Sequence, residues 1–367
     1  MFPYFKKRPT NINKTKPKPP VFYKPLGLIN IDNDCYMNSV IQCLFHLRKF
    51  RDYFIENKNA LSKEQQPLSC ELADIFIRLN CVNGGKLFGL YNLKNFMGDL
   101  DDCFLGSNGA DAVDLLSYLF STLSTEQTNF IGPDISMMSV LDASDKEKVF
   151  KDCQSRVGDD TALIHVMNYI EIEYCCSMRK KNAIKKHKLF YSFENKCYIE
   201  FDLEEFIEKN KKNKIDVKEC FYYFFKIKIE ISDEFCPECN NMISCASNSR
   251  LNKTSDYLII VLNHKKKKKL NINYDEYINI YSYTNNQECY YRLVGIVFHI
   301  GNSSTFGHYI SCCLNSELNN EEKFYLFNDK DVYDFSFNKI KNLNYTPYIL
   351  FYEKHYSYSL NRNYKKY

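Results

Sequence analysis

Three residues whose side chains could together form the active site of a thiol hydrolase lie far apart in this sequence. Cys35 begins a segment whose apolar residues recur at helical spacing, so a buried helix is predicted to start at or just after it. His308 is predicted on a strand, and Asn328 at the end of another. In this arrangement a thiolate attacks an acyl carbon, an imidazole moves the proton, and a third polar group orients the imidazole.

Two features of the turn before Cys35 have opposite effects on the stability of a Cys35 thiolate. Asn33 or Asp34 is predicted to cap the helix, and the positive end of a helix dipole favours a thiolate. The adjacent carboxylate of Asp34 disfavours a thiolate, so an imidazolium partner is needed to outweigh it. Taken alone, Cys35 also fits a buried structural cysteine, and a single histidine on a strand, such as His308, is usually structural.

The bulk composition indicates a globular protein. The chain has 367 residues, of which 45% are hydrophobic and 16% aromatic, with a net charge of +4. Lysine runs without interleaved aromatic residues predict exposed loops and no nucleic-acid partner. No apolar run reaches signal or membrane-spanning length, so we expect no membrane partner and a cytoplasmic or nuclear location. The sixteen cysteines are then expected as reduced thiols, metal ligands or a catalytic thiol.

The pattern along the chain predicts an α+β fold. Residues 1–24 read as a disordered basic tail, and residues 356–367 as a second tail. Helical periodicity dominates about 25–160, although 126–160 is predicted to be irregular, whereas strand signals dominate about 161–355. Tyr222–Ile231 is among the predicted strands, and Gly301–Gly307 is predicted to be a flexible polar loop.

Two distant stretches of the chain contain specific local patterns. The first pattern consists of Gly27, Leu28, Asn30, Asn33, Cys35, Tyr36, Met37, Asn38, Ser39 and Gln42. The second consists of Tyr291, Leu293, Val297, His299, Gly301, Gly307, His308 and Tyr309, and the apolar strand Tyr348–Tyr352 follows it. In these patterns the chain resembles the ubiquitin-specific proteases from about Pro25 to Lys354. The cysteine box of that family reads roughly G-L-x-N-x-G-N-T-C-Y-M-N-S-x-L-Q, its histidine box ends in H-x-G and then G-H-Y (Val297 is shifted by one), and Tyr348–Tyr352 resembles its closing strand.

This resemblance implies a papain-like cysteine peptidase with a helical thumb, a β-sheet palm and β-ribbon fingers, spanning 25–355. It implies Cys35 as the nucleophile, His308 as the general base and Asn328 as the residue that orients it. Asn30 would donate its amide to the oxyanion, and Asp329 would assist. The expected partners are ubiquitin and ubiquitinated proteins, bound by a monomer.

The resemblance also implies a site for the ubiquitin tail, which ends in Arg-Leu-Arg-Gly-Gly. Asp111 and Asp114 share a helix face and would pair with the two arginines. Gly307 and Tyr309 would line the channel for the glycines. The alternative for the two acids is a helix first turn that simply favours carboxylates.

No cofactor is expected for the chemistry, but a structural zinc is possible. Cys236 and Cys239 form one C-x-x-C knuckle, and zinc needs two further ligands. Cys175 and Cys176 are the expected candidates, although Met178 stands where the family has the second cysteine of its other knuckle. The remaining alternatives are a lapsed site or a turn with free thiols.

Several residues depart from the family pattern close to the proposed chemistry. Asp32 replaces a glycine, Asp34 a threonine, and Gly109 a glutamine that contacts the tail. The leading hypothesis is an active deubiquitinase. The alternatives are a catalytically weak or inactive ubiquitin-binding scaffold and a protease for another ubiquitin-like modifier.

Overall fold

Helices form most of the first half of the chain. The computed structural model describes residues 25–80, 85–107, 109–128, 143–158, 160–176, 179–180, 183–184, 188–212, 214–225, 228–236, 240–264, 270–285, 289–303, 306–315, 322–343 and 345–355. The α-helices in these ranges are α1 Cys35–His46, α2 Arg48–Asn57, α3 Pro67–Leu79, α4 Tyr91–Leu100, α5 Ala112–Gln127, α6 Ala143–Val157, α7 Leu203–Asn210, α8 Val217–Phe225 and α9 Phe337–Lys341.

Strands form most of the second half. Their bounds are β1 Asn168–Cys176, β2 Arg179–Lys180, β3 Ala183–Ile184, β4 Lys188–Lys196, β5 Ile199–Asp202, β6 Lys214–Asp216, β7 Lys228–Cys236, β8 Asn241–Lys253, β9 Tyr257–Asn263, β10 Asn271–Asn273, β11 Tyr277–Asn279, β12 Tyr290–Ser303, β13 Phe306–Asn315, β14 Lys323–Asn328, β15 Asp331–Phe335 and β16 Thr346–His355.

The largest sheet, called the palm sheet below, has the order β15-β14-β13-β12-β16-β9-β5, and β11 pairs with β12. All its neighbours are antiparallel except β5 and β9. The run Tyr257–Leu262 in β9 is buried throughout, as expected for a strand covered on both faces. A second sheet, β4-β1-β8-β7, forms the fingers.

Helix α1 packs directly on β13 and β12 of the palm sheet. Its residues from Cys35 to Phe45 are all buried. A helix that is buried all round belongs to the core of a large domain. The packing carries the first residue of α1 to the strand that contains His308.

The segment before α1 packs against the turn that follows β14, late in the chain. The backbone N–H of Leu28 donates to the Asp329 carbonyl at 3.0 Å. A Cβ on Gly27 would lie 2.4 Å from the carbonyl oxygen of Lys330 and 2.6 Å from that of Asp329. Only glycine allows this close approach, which places the segment with Asn30 beside the turn after β14.

Three local predictions were wrong. Ala143–Val157 is a helix inside the stretch expected to be irregular, and its Cys153 and Val157 are buried. Val217–Phe225 is also helical, so Tyr222–Phe225 is not a strand. Gly301 pairs with Gly307 across β12 and β13, so the expected flexible loop is largely a hairpin.

Residues 1–24, 356–367, 265–269 and Cys239 lie outside the described residues, so both predicted tails are untested. Within the described part of the chain, none of the helices is both long and apolar enough to cross a lipid bilayer.

Candidate active site

Cys35 and His308 meet at the junction of α1 and the palm sheet. Cys35 is the first residue of α1 and only 6% exposed, and the backbone N–H of Tyr309 lies 3.5 Å from its Sγ. His308 is half-buried on β13. The two side chains that the sequence separates by 273 positions therefore form one site.

Asn328 holds the imidazole from the neighbouring strand. It is the last residue of β14, which pairs with β13, and its Oδ1 lies 2.7 Å from His308 Nε2. The hydrogen bond to the Cys35 thiol is the largest cause that raises the pKa of His308 to about 9. The bond to Asn328 raises it further, and together they outweigh the opposing effect of burial.

The hydrogen-bond pattern fixes which ring nitrogen faces the thiol. Because an amide oxygen only accepts, Nε2 of His308 is the protonated nitrogen, and its N–H group donates the hydrogen bond to Asn328 Oδ1. Nδ1 of His308 is left for Cys35, and it can take and return the thiol proton. The arrangement matches the roles of base and orienting residue in a cysteine hydrolase.

Asp329 ties the two ends of the site together. Its Oδ2 accepts from Asn30 Nδ2 at 3.0 Å, and its Oδ1 accepts from Asn38 Nδ2 at 2.9 Å. The Oδ1 atom of Asn30 accepts the backbone N–H of Asp34 at 2.9 Å. Asn30 is thus anchored on both sides and fixed beside the turn that leads into Cys35.

The turn before Cys35 avoids strain through its asparagine. Asn33 adopts a left-handed φ of 57°, a conformation that asparagine tolerates, whereas Asp32 is not in that region. The replacement of the family glycine by Asp32 therefore puts no left-handed strain into the turn. Asp34 occupies the N-cap position, but its side chain makes no cap hydrogen bond.

Asp111 is committed to internal hydrogen bonds, whereas Asp114 is half-buried. The Asp111 carboxylate is 3% exposed and caps α5 by accepting the backbone N–H of Val113 at 2.8 Å. The Tyr348 hydroxyl donates to it, at 2.9 Å from Oδ1 and 2.8 Å from Oδ2. Burial, followed by the Asp111 charge, raises the pKa of Tyr348, so this phenol remains a neutral donor.

Gly307 and Tyr309 flank His308 on β13, beside His299 of β12. A Cβ on Gly307 would lie 2.5 Å from Nε2 of His299. The rings of His299 and Tyr309 are 4.8 Å apart. Burial lowers the pKa of His299 to about 4, so this imidazole is neutral near pH 7. Space at this edge of the site therefore depends on a residue without a side chain at 307.

The finger cysteines are not brought together by the described pairing. Cys175 and Cys176 pair with Ala246 and Cys245 of β8, whereas Cys236 pairs with Asn241. Four to five residues along a strand span roughly 14–17 Å, which is too far for one zinc with ligands at about 2.3 Å. Among the described residues, no three or more histidine, cysteine or acidic side chains form a metal-binding group.

Sequence reasoning gave no role to three residues that the fold places at the site. Asn38 was matched in the cysteine box, but its bond to Asp329 required the fold. Tyr348 was matched as part of a closing strand, and nothing marked it as the partner of Asp111. Lys94, which contacts Asp34, carried no signal in the sequence.

Comparisons with known proteins identify the family. The family model described as ubiquitin carboxyl-terminal hydrolase matches residues 26–352. The chain belongs to this family. Among its relatives, the ubiquitin carboxyl-terminal hydrolase Usp2 of Drosophila melanogaster is 23% identical to this chain over 343 residues. The matched region covers 89% of this chain and 34% of that protein. It is also 23% identical over 354 residues to ubiquitin carboxyl-terminal hydrolase 2 of Bos taurus, with 89% and 54% covered.

Solved structures of the hydrolase family share the fold. The SAGA Ubp8/Sgf11/Sus1/Sgf73 DUB module bound to ubiquitin aldehyde matches with a TM-score of 0.66 at 20% identity, over 90% of this chain and 70% of that chain. The predicted papain-like α+β fold of the ubiquitin-specific proteases is confirmed. The chain spans about a third and about half of the length of the two curated relatives named above.

Proposed function

We propose that the chain is a deubiquitinase that hydrolyses the isopeptide or peptide bond after the C-terminal glycine of ubiquitin. The observation that carries this proposal is the position of His308, between the amide oxygen of Asn328 and the thiol of Cys35. Family membership gives the reaction class, that of a cysteine-type hydrolase.

The proposed reaction uses each of these groups in turn. The Cys35 thiolate attacks the carbonyl carbon of the last glycine, and the imidazolium of His308 donates its proton to the leaving amine. A thioester to Cys35 remains. His308, now neutral, takes a proton from water, and the resulting attack releases the ubiquitin carboxylate and restores the thiolate. Asn328 keeps the imidazole oriented through both steps.

Asn30 is proposed to stabilise the oxyanion of both tetrahedral intermediates. One hydrogen of its side-chain amide is donated to Asp329, and the amide carries a second one. Its other contact, with the backbone N–H of Asp34, fixes the plane of the amide. A preorganised donor of this kind typically contributes on the order of 3 kcal/mol to transition-state stabilisation.

The ubiquitin tail is proposed to approach along Gly307 and Tyr309, with its arginines near Asp111 and Asp114. Asp114 is the more accessible of the two acids and so the better candidate for a direct ion pair. Asp111 is bound to Tyr348 and Val113, and its proposed contribution is a negative field at the same helix end. We keep a monomer as the proposed state.

A cytoplasmic or nuclear location and a reduced state are proposed together. The cysteines whose side chains the structure describes are free thiols, including the buried Cys43, Cys312 and Cys313. Free buried thiols fit a reducing compartment. We propose no zinc shared by Cys175, Cys176 and the knuckle of Cys236 and Cys239, because the described register keeps Cys175 and Cys176 away from Cys236 and one knuckle alone supplies too few ligands.

A ubiquitin vinyl-sulfone probe tests the proposal directly. Under reducing conditions the parent chain is expected to form one covalent adduct at Cys35, and the Cys35→Ala variant none, while the variant still binds ubiquitin. Absence of an adduct with a folded parent, together with retained ubiquitin binding, would favour the non-catalytic scaffold. Reaction with a probe for another ubiquitin-like modifier, but not with the ubiquitin probe, would reassign the substrate.

A further inference from the structure

The carboxylate beside the nucleophile is buried against a lysine from another helix. Asp34 immediately precedes Cys35, and its side chain is fully buried. Lys94 of α4 is 7% exposed, and its Nζ lies 2.5 Å from Asp34 Oδ1. The second carboxylate oxygen of Asp34 is also buried, and in the described residues it has no hydrogen-bond partner. The pairing of this charge therefore depends on Lys94.

The same ammonium group also holds the backbone of the turn. Nζ of Lys94 donates to the carbonyl oxygen of Asp32 at 2.7 Å. The backbone N–H of Asp34 meets Asn30, and its carbonyl accepts the N–H of Asn38 in the first turn of α1. A single lysine thus connects α4 to the turn that fixes the nucleophile and the proposed oxyanion donor.

Electrostatics give the pair a second effect on the thiolate. An unpaired carboxylate next to Cys35 would repel a thiolate in a partly dehydrated site, where charge interactions are stronger than in water. A lysine within contact distance offsets that charge. The titratable groups around Asp34 and Cys35 are Asp32 in the turn, Tyr36 in α1, Lys94 in α4, Cys103, Asp111 and Asp114 at the start of α5, His308 and Tyr309 in β13, and Asp329 after β14.

We propose that Lys94 is a positioning residue for Cys35, which pins the Asp32–Asp34 turn and neutralises Asp34 so that the thiolate can form. This inference rests on the proposed hydrolase function, because it assigns Lys94 an effect on the nucleophile of that reaction. It also explains how an aspartate is accommodated where the resemblance leads one to expect a threonine.

The test is a set of four variants: Lys94→Met, Lys94→Arg, Asp34→Thr and the double variant Asp34→Thr/Lys94→Met. The readout is the rate at which iodoacetamide alkylates Cys35 as a function of pH, followed by mass spectrometry of the Cys35 peptide. This readout needs no ubiquitin. It therefore separates failure of the inference from failure of the proposed function, which the ubiquitin probe on the parent reports.

Lys94→Met is expected to move the alkylation profile to higher pH, because Asp34 loses its counter-charge, and Asp34→Thr to lower pH. Lys94→Arg keeps the charge and should stay close to the parent. The double variant contains neither buried charge, so it should fold and return most of the way to the parent profile.

In the steady-state assay, Lys94→Met is expected to lower kcat/KM roughly tenfold or more, because small misplacements of reacting groups can cost about 100-fold.

Two outcomes would overturn the inference. One is a Lys94→Met profile that coincides with that of the parent at every pH. The other is a double variant no closer to the parent than the single variants are. If Lys94→Met fails to fold, as circular dichroism would show, the comparison of Asp34→Thr, Lys94→Arg and the double variant still decides. A Lys94→Met variant that loses reactivity by the same factor at every pH counts with the first outcome, because its profile is not displaced along the pH axis and the role of Lys94 would then be purely structural.

Discussion

Replacement of Asp111 by alanine should destabilise the protein through two separate losses. The carboxylate caps α5 through the Val113 N–H, and loss of such a cap costs about 1 kcal/mol. It also accepts the hydroxyl of Tyr348, whose side chain is 2% exposed. A buried hydroxyl left without an acceptor costs about 1–3 kcal/mol. We therefore expect Asp111→Ala to lower the free energy of unfolding by about 2–4 kcal/mol.

Urea titrations followed by circular dichroism measure this loss, with two matched variants. Asp111→Asn keeps an oxygen for both donors and should lose about 1 kcal/mol or less. Tyr348→Phe removes the orphaned hydroxyl, so the double variant Asp111→Ala/Tyr348→Phe should be less destabilised than the sum of the single variants, by about 1 kcal/mol. Full additivity of the two changes, or a loss below about 0.5 kcal/mol for Asp111→Ala, would refute the reasoning.

Four further predictions concern the site and its surroundings. Asp114→Ala should raise KM for a ubiquitin substrate more than it lowers kcat, because the proposed contact with the ubiquitin tail is remote from the reacting atoms and would be made equally in the ground and transition states. Asp334→Ala, which changes an exposed acid, is the control in the same steady-state assay. Gly27→Ala should lower kcat/KM by roughly tenfold, because the added Cβ would push the segment that contains Asn30 away from the Lys330 carbonyl. Unchanged kinetics would contradict this. The pKa of His308 is raised to about 9 from an ordinary 6.5, so its stabilising contribution is complete below about pH 6.5 and is lost as pH rises through about 9; unfolding titrations of the parent and His308→Gln at the two ends of this range should converge at high pH. A chelator should leave the thermal midpoint unchanged, because the described register separates Cys175 from Cys236; a lowered midpoint with zinc in the released fraction would restore the metal hypothesis.

The outcomes for the fold show which local signals are reliable. The start of the helix at Cys35 was predicted correctly, because a sustained apolar pattern at helical spacing has one stable interpretation. The prediction for Tyr222–Phe225 failed because aromatic residues favour strands, whereas here Phe221 and Phe225 lie four apart on the buried face of α8 and stack on Tyr283, and Tyr222 is exposed. Tertiary packing overrode the local preference.

The loop expected over Gly301–Gly307 shows a different limit. Its polar residues and glycines are typical of a flexible connection, yet Gly301 and Gly307 are paired in the hairpin. The close approach of His299 to position 307 supplies the reason for a glycine there. A glycine required by a neighbouring side chain cannot be distinguished, in sequence, from one required by a turn.

The sequence by itself determined the candidate residues and the family they belong to. Cys35 and His308 lie in two specific local boxes, and Asn328 ends a predicted strand in the chain order that a thiol hydrolase needs. Only the tertiary structure decided how they are held. The Asp329 clamp on Asn30, the burial of Asp111 against Tyr348 and the Lys94–Asp34 pair all join residues that are distant in the chain. Charges and hydrogen bonds act over a few ångströms in space, and chain distance carries no information about that separation.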